Sequence, residues 1–191
     1  MLISLKGKQL INEYHKKMDA DDKYGRSFHI RGERFNVASL FNEYNVKSVL
    51  DYGCGRCDWN KDEFADYKSA VEFFKLDKAN HYDPATGIDE RKPSDCVISF
   101  DALEHIIECD IPYCVEDMFR NARKLVICQV CTGESLHKLP NGEPCHITMY
   151  PDYWWKGVFD CIQSRYPQVS YQLWVSSDNQ HTDNVKFESR R

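Results

Sequence analysis

The residues with the clearest chemical signature lie between Asp51 and Gly55, where an acid precedes two closely spaced glycines. Val49 and Leu50 run into this acid, a pattern typical of a buried strand that ends in a tight loop. Glycines permit unusual backbone angles and let a ligand approach without a Cβ in the way. The stretch therefore predicts a site for a nucleotide-like cofactor, with a strand and turn containing purely structural glycines as the alternative.

A second acid, Asp83, follows His81 and Tyr82 and precedes Pro84. An acid at the end of the second strand of a Rossmann-like fold holds the ribose hydroxyls of a cofactor. The distance from Gly55 exceeds the usual interval of about 20 residues, which leaves Asp77 as an alternative. Asp83 is preferred because Pro84 would stop the strand at the edge where a ligand lies.

A third acid, Asp101, ends an apolar run over residues 94–101 that predicts another buried strand. Only about ten residues separate this run from Asp83, whereas a crossover between parallel strands needs a dozen or more. The usual helix and strand between these two elements must therefore be missing or reduced to a loop.

The elements that must position these acids follow from periodicity. Apolar residues at helical spacing predict a helix from Phe35, and the stretch from Arg56 to Lys78 predicts helical structure over much of its length. A helix there would place free backbone N–H groups beside the glycines, and its aromatic residues, Tyr67 among them, would be available for burial.

The second half of the chain shows the same kind of pattern. Asp110, Ile111 and Pro112 form a helix-start signal. Further segments predict a strand over residues 125–130, a helix over 154–165, and an antiparallel closing pair over 169–175 and 184–188.

Length and composition indicate one domain with a sizeable core, spanning all 191 residues, 42% of them hydrophobic and 29% charged. No apolar run approaches the roughly 20 residues that span a bilayer, and the N-terminal apolar segment is too short for a secretory signal. We therefore expect a cytoplasmic location and no membrane partner. The net charge of −5 argues against stable nucleic-acid binding.

Two segments outside the predicted sheet are candidates for covering a ligand. Residues 1–34 predict an N-terminal arm with a short helix around Leu10, Ile11 and Tyr14. Residues 132–152 predict a long loop, and long loops in compact domains are usually functional or disordered. Its aromatic exit favours an ordered loop that covers the substrate.

Nine cysteines include two Cys-x-x-Cys pairs, Cys54/Cys57 and Cys128/Cys131, which raise the alternative of a zinc or redox protein. However, Cys54 lies between the two glycines, and Cys128 lies in an apolar run where a free thiol packs as a small hydrophobe. The pairs also lack the spacing and flanking turns of a zinc ribbon, so we expect no metal site.

Together, residues 49–55, 82–85 and 94–106 resemble class I S-adenosylmethionine (SAM)-dependent methyltransferases, and the resemblance covers about residues 46–130. It implies an α/β fold: a Rossmann-like class I methyltransferase sheet with helices on both faces, reduced between the second and fourth strands, with antiparallel closing strands. The segment from Leu139 to Trp155 also resembles small methyltransferase-like proteins of bacteriophages.

The resemblance implies that the glycines pass beneath the methionine part of SAM, that Asp51 holds its amino group and that Asp83 accepts its ribose hydroxyls. His105 is expected to cap the next helix near the active face. Two departures from the family are Cys57, where a third glycine is common, and the shortened segment after Asp83, which lacks the acid that commonly contacts adenine. The residues implied to bind SAM are Asp51, Tyr52, Gly53, Cys54, Gly55, Asp83, Pro84, Asp101, Ala102 and Leu103.

Methyl transfer requires a base only where the acceptor loses a proton, and the candidates are Glu104, His105 and His146. The residues after Phe100 lack the Pro-Pro-aromatic signature of amino-directed DNA methyltransferases, and Cys145 follows the wrong strand for a base C5 nucleophile. A small-molecule or nucleotide-like acceptor is therefore expected. A methyltransferase-like binding module without catalysis is the alternative, ahead of a zinc or redox protein.

Overall fold

A computed structural model of the chain describes residues 3–189. The helices are α1 (Leu5–Ala20), α2 (Arg34–Glu43), α3 (Ala70–Phe74), α4 (Ile111–Asn121) and α5 (Asp152–Gln163). The strands are β1 (Ser48–Tyr52), β2 (Glu63–Ala65), β3 (Lys68–Ser69), β4 (Lys78–Asp83), β5 (Ile88–Asp89), β6 (Ser94–Phe100), β7 (Ala122–Cys131), β8 (Ser170–Ser176) and β9 (Val185–Ser189). Short 3-10 turns cover His29–Arg31, Leu103–His105 and Glu108–Asp110.

Seven strands form one sheet in the order β5-β4-β1-β6-β7-β8-β9. The five strands from β4 to β8 in this order are parallel, and the edge strands β5 and β9 are antiparallel to their neighbours. The doubly wound fold has the strand order 3-2-1-4-5-6. The parallel strands β4, β1, β6, β7 and β8 correspond to positions 2, 1, 4, 5 and 6 of that order, and the edge position of its third strand is taken by the antiparallel β5. The predicted α/β class and the antiparallel closing pair are confirmed, and the topology is compatible with a Rossmann-like fold.

The sheet is covered on both faces because neighbouring residues of each strand point to opposite sides. Val49 packs in the cluster that contains Val37 of α2 and Phe74 of α3. Leu50 packs in the cluster that contains Met118 of α4 and Phe159 of α5. The helices predicted near residues 35–44, 111–122 and 154–165 thus form and bury the expected apolar faces.

The predicted reduction after Asp83 is also confirmed. The chain turns back at once and forms β5, a two-residue strand that pairs antiparallel with β4. Residues 70–74, which precede Asp77, are helical, and Asp77 itself lies before β4. Asp83, and not Asp77, is therefore the acid at the end of the strand.

The helix predicted over much of residues 56–78 is wrong. Turns lead instead to the β2–β3 hairpin and the five-residue α3, and Tyr67 at the hairpin tip is exposed. The physical reason lies in the polar side chains: Asp58 accepts a hydrogen bond from the N–H of Asn60, and Asp62 accepts one from the N–H of Asp58. Such local side-chain bonds compete with a helix, so no helix starts at the glycines.

The N-terminal arm contains a longer helix than the sequence predicts. Helix α1 begins after Ser4, whose Oγ accepts a hydrogen bond from Gly7 N at 2.9 Å. Its buried residues Leu10, Tyr14 and Met18 pack with Ala85 and with the loop that follows β7. Residues 1 and 2 of the predicted arm lie outside the described residues. Within residues 3–189, no helix combines the length and apolar character needed to span a bilayer.

Candidate functional site

A cavity of about 580 Å³ lies where β1, β4 and β6 end, covered by α1 and by loop 132–152. Every residue predicted above to bind the cofactor or to act in catalysis lines it, whereas Asp77 does not. Strand order explains this convergence: the chain passes from β1 to one side and then to the other, and ligands of open α/β sheets bind at that switch point.

The glycine turn is fixed by the protein itself. Gly53 and Gly55 have φ of 90° and 58°, angles that side chains other than glycine rarely adopt. A Cβ on Gly53 would lie 2.5 Å from Ala102 Cβ, and one on Gly55 would lie 2.5 Å from Gly25 O. Gly53 N and Gly55 N donate hydrogen bonds to Tyr82 O and Asp83 Oδ2 at 2.7 and 3.0 Å. The turn is therefore no open cradle for an anion.

Asp83 holds the turn that follows β4. Its carboxylate accepts hydrogen bonds from the N–H groups of Gly55, Ala85 and Thr86, at 3.0, 2.9 and 2.9 Å. Burial raises the pKa of this carboxyl, and the three N–H groups counteract the rise. Since a carboxylate accepts about four hydrogen bonds, at most one position is left for a ligand hydroxyl.

Asp51 is the acid in front of the turn. Its Oδ2 accepts a hydrogen bond from Trp59 Nε1 at 2.7 Å. Burial raises the pKa of Asp51 to about 6, although the Trp59 bond lowers it. The carboxyl is therefore largely ionised at neutral pH and becomes neutral in mild acid.

Asp101 contacts two histidines that the sequence analysis missed. Its Oδ2 lies 2.8 Å from His29 Nδ1 and accepts a hydrogen bond from His181 Nε2 at 3.0 Å. Burial alone would raise the pKa of Asp101, but the hydrogen bonding from His181 and His29 outweighs it and holds the pKa well below its usual range. His29 comes from the arm and His181 from the β8–β9 loop, and no local pattern links either to residue 101.

Glu104 is buried at the back of the cavity. Its Oε1 accepts a hydrogen bond from Cys131 N at 3.0 Å, and its Oε2 has no partner among the described residues. Burial, together with the nearby Asp101, raises the pKa of Glu104 well above its usual range. The protonated form of Glu104 is therefore favoured over its ordinary balance, which weakens the carboxyl as a base.

The two predicted histidines are each bound to a backbone carbonyl. His105 Nδ1 lies 2.7 Å from Cys145 O, His146 Nδ1 lies 2.7 Å from Gly133 O, and the rings meet edge to face at 5.2 Å. Burial lowers the pKa of His105 to about 4, so its ring is neutral and weakly basic at neutral pH. His105 belongs to a 3-10 turn and does not cap the next helix, which begins only at Ile111 after a second such turn.

The cysteines near the turn are buried thiols. Cys57 packs in the core, and burial raises its pKa to about 12. Burial also raises the pKa of Cys54 and of Cys128. Residues 3–189 contain no group of three His, Cys, Asp or Glu side chains placed to hold a metal ion.

The charge of the cavity is one-sided. Ionised Asp51 and Asp101 line it, and Lys23 is the single Lys or Arg among the described residues that do so. Negative charge in a partly enclosed site favours a ligand that carries a positive group.

Comparison of the chain with family models, with curated proteins and with solved structures finds no match.

Proposed function

We propose that the protein is a SAM-dependent methyltransferase of class I that acts on a small-molecule or nucleotide-like acceptor. The observation that carries this proposal is the convergence of three adjacent strand ends on one cavity. β1 contributes Asp51 and the glycine turn, β4 contributes Asp83, and β6 contributes the segment that begins at Asp101. This is the cofactor position of a doubly wound sheet.

The cavity fits SAM in size and charge. Its volume of about 580 Å³ lies within the range of cofactor sites, about 300–1,000 Å³. Its carboxylates suit a cofactor that carries a sulfonium and an ammonium group. When bound, the sulfonium supplies a methyl carbon for in-line displacement, a reaction that depends mostly on positioning.

The chain's own residues would divide the work of holding SAM. Asp51, ionised and fixed by Trp59, would pair with the amino group. Asp83 would accept a single ribose hydroxyl, since three backbone N–H groups already occupy its carboxylate. Ala102 and Leu103 would line the adenine and methionine side, and α1 with loop 132–152 would exclude water.

Calorimetry with SAM and with its demethylated product tests the proposal. We expect a micromolar dissociation constant for the wild type and a loss of at least about tenfold in D83N, because the amide replaces one acceptor oxygen by a donor and so leaves fewer acceptor positions for the backbone N–H groups and the ribose hydroxyl. D77N is the matched control because Asp77 is an exposed acid outside the cavity. Absence of binding to either compound, or equal losses in both variants, would overturn the assignment.

A non-catalytic binding module on the same scaffold is the second candidate. It is favoured by the protein's own use of the turn amides and the carboxylates, by the raised pKa of Glu104, and by the pKa of about 4 that makes His105 a weak base. It predicts SAM binding without transfer of a labelled methyl group to any component of a cell extract. Transfer to an identifiable product would exclude it.

A further inference from the structure

One carboxylate oxygen in the cavity contacts two imidazole rings. Asp101 Oδ2 lies 2.8 Å from His29 Nδ1 and 3.0 Å from His181 Nε2, and all three residues line the cavity. Asp101 adopts a φ of 49° and His181 a φ of 55°, which are uncommon for residues other than glycine. Backbone strain of this kind is concentrated at functional sites.

The two histidines differ in what their second ring nitrogen meets. The His29 side chain is 48% exposed, and with Nδ1 directed to Asp101 its Nε2 carries the lone pair of the neutral ring. The His181 side chain is 17% exposed, and its Nδ1 is buried without a partner among the described residues. His29 is therefore the ring whose basic nitrogen a ligand or water reaches, and His181 holds Asp101 in place.

The chain segments that carry Asp101 and His29 both contact the glycine turn. Ala102, which follows Asp101, is the residue that a Cβ on Gly53 would strike. On the arm, Gly25 O accepts a hydrogen bond from Arg56 N at 2.8 Å, directly after the turn. His29 itself lines the cavity proposed above to hold the methyl donor.

We propose that His29 is the general base of this cavity, oriented by Asp101, and that the methyl acceptor is a hydroxyl group of an alcohol or phenol. This inference rests on the proposed function. An amine in its free-base form already exposes its lone pair, and a carboxylate is already ionised. A hydroxyl must lose a proton in or before the transition state, which is the task of a base held by a carboxylate.

The proton balance is simple. His29 Nε2 takes the hydroxyl proton while the oxygen forms its bond to the transferred methyl carbon, and the electron pair of the broken carbon–sulfur bond stays on sulfur. The half-exposed ring then releases the proton to water. Asp101 stays ionised throughout, and it fixes the ring with Nε2 unprotonated beforehand.

The first test reads the tautomer of His29 without any cofactor. Nitrogen-15 NMR at alkaline pH, where imidazole is neutral, should show the proton of His29 on Nδ1 in the wild type and mostly on Nε2 in D101N. D19N is the matched control, because Asp19 pairs with His15 on α1 and neither residue lines the cavity. An Nε2–H tautomer in the wild type, or the same change in D19N, would overturn the proposal.

The second test compares transfer of a labelled methyl group from SAM to a panel of alcohols and phenols and to a cell extract. H29Q should lose about 10²- to 10⁴-fold in rate while its SAM affinity stays within about twofold of the wild type, and H15Q should keep the wild-type rate. The labelled product should resist mild base, as ethers do and methyl esters do not. An H29Q rate equal to the wild type, or a base-labile or amine product, overturns this inference alone. A wild type that binds no SAM overturns the proposed function itself. Because SAM binding is measured separately from methyl transfer, the two failures can be distinguished.

Discussion

The two sides of the cavity are held together by different kinds of contact. We call the strand ends at residues 52–55, 83–85 and 100–103 the floor, and α1, residues 21–31 and loop 132–152 the cover. The floor is fixed by backbone hydrogen bonds between neighbouring strands and by close steric contact, as between Gly53 and Ala102. The cover is fixed by side chains whose partners lie far away in sequence, 106 residues for Ser4 and Asp110 and 131 for Tyr14 and Cys145. Changes in the floor should therefore affect global stability, and changes in the cover mainly local opening.

The largest effect is expected for G53A in the floor. An added Cβ would combine a left-handed φ of 90° with a 2.5 Å contact to Ala102, and should destabilise the protein by about 2–4 kcal/mol. G142A in the cover is the matched control, because Gly142 has a φ of 89° and nothing within 4 Å of its added Cβ. It should cost about 1–2 kcal/mol, from backbone strain alone. Urea denaturation measures both, and equal losses would mean that Ala102 moves aside freely.

D101N should weaken the contact between floor and cover and destabilise the protein by about 1–3 kcal/mol at neutral pH. The folded-state pKa of Asp101 lies below its ordinary 3.8, so its stabilising contribution is present above that pH and is lost as pH falls through the folded-state value. The difference between wild type and D101N in free energy of unfolding should therefore narrow in acid. A difference that does not depend on pH would show that the charge on Asp101 is unimportant.

D51N should change the stability in the opposite direction from D101N. The folded-state pKa of Asp51 is raised from 3.8 to about 6, so the ionised carboxylate costs stability above about pH 6, and this cost disappears below pH 3.8. Asparagine keeps an oxygen for Trp59 Nε1 and removes the charge. We expect a gain of about 1–2 kcal/mol at neutral pH, together with weaker SAM binding. Thermal unfolding between pH 4 and 8 measures the gain, and a destabilised D51N would contradict the prediction.

The difference between floor and cover also explains which parts of the site could be predicted from the sequence. The floor follows from local patterns: an apolar run before an acid marks the ends of β1 and β6, Asp83 before Pro84 marks the end of β4, and the spacing after Asp83 predicts the missing crossover. The turns after the glycines were missed because Asp58 and Asp62 bond to nearby backbone, which a helical pattern does not register. His29 and His181 were missed because their contacts with Asp101 depend on how two loops pack, His181 lying 80 residues away. No short-range signal would have found them.

S4A should release the cover while leaving the floor intact. Ser4 Oγ caps α1 through Gly7 N and also donates a hydrogen bond to Asp110 Oδ2 at 2.8 Å. Its loss should lower the local stability of α1 by about 1 kcal/mol. Hydrogen exchange should quicken in α1 and remain unchanged in β1 and β6. S69A, which removes the comparable cap of α3, should leave α1 protection unaltered.

The smallest effect is expected at the rim of the cover, where Lys6 pairs with Glu143 between α1 and loop 132–152. Both side chains are more than a third exposed, at 39% and 38%, so solvent and salt screen the pair. A double-mutant cycle of K6M and E143Q should give a coupling energy below about 0.5 kcal/mol that falls further in high salt. A coupling above about 1 kcal/mol would mean that surface charge clamps the cover. A small value instead assigns closure to the contacts of Ser4 with Asp110, Tyr14 with Cys145 and His29 with Asp101, the last of which also places the proposed base.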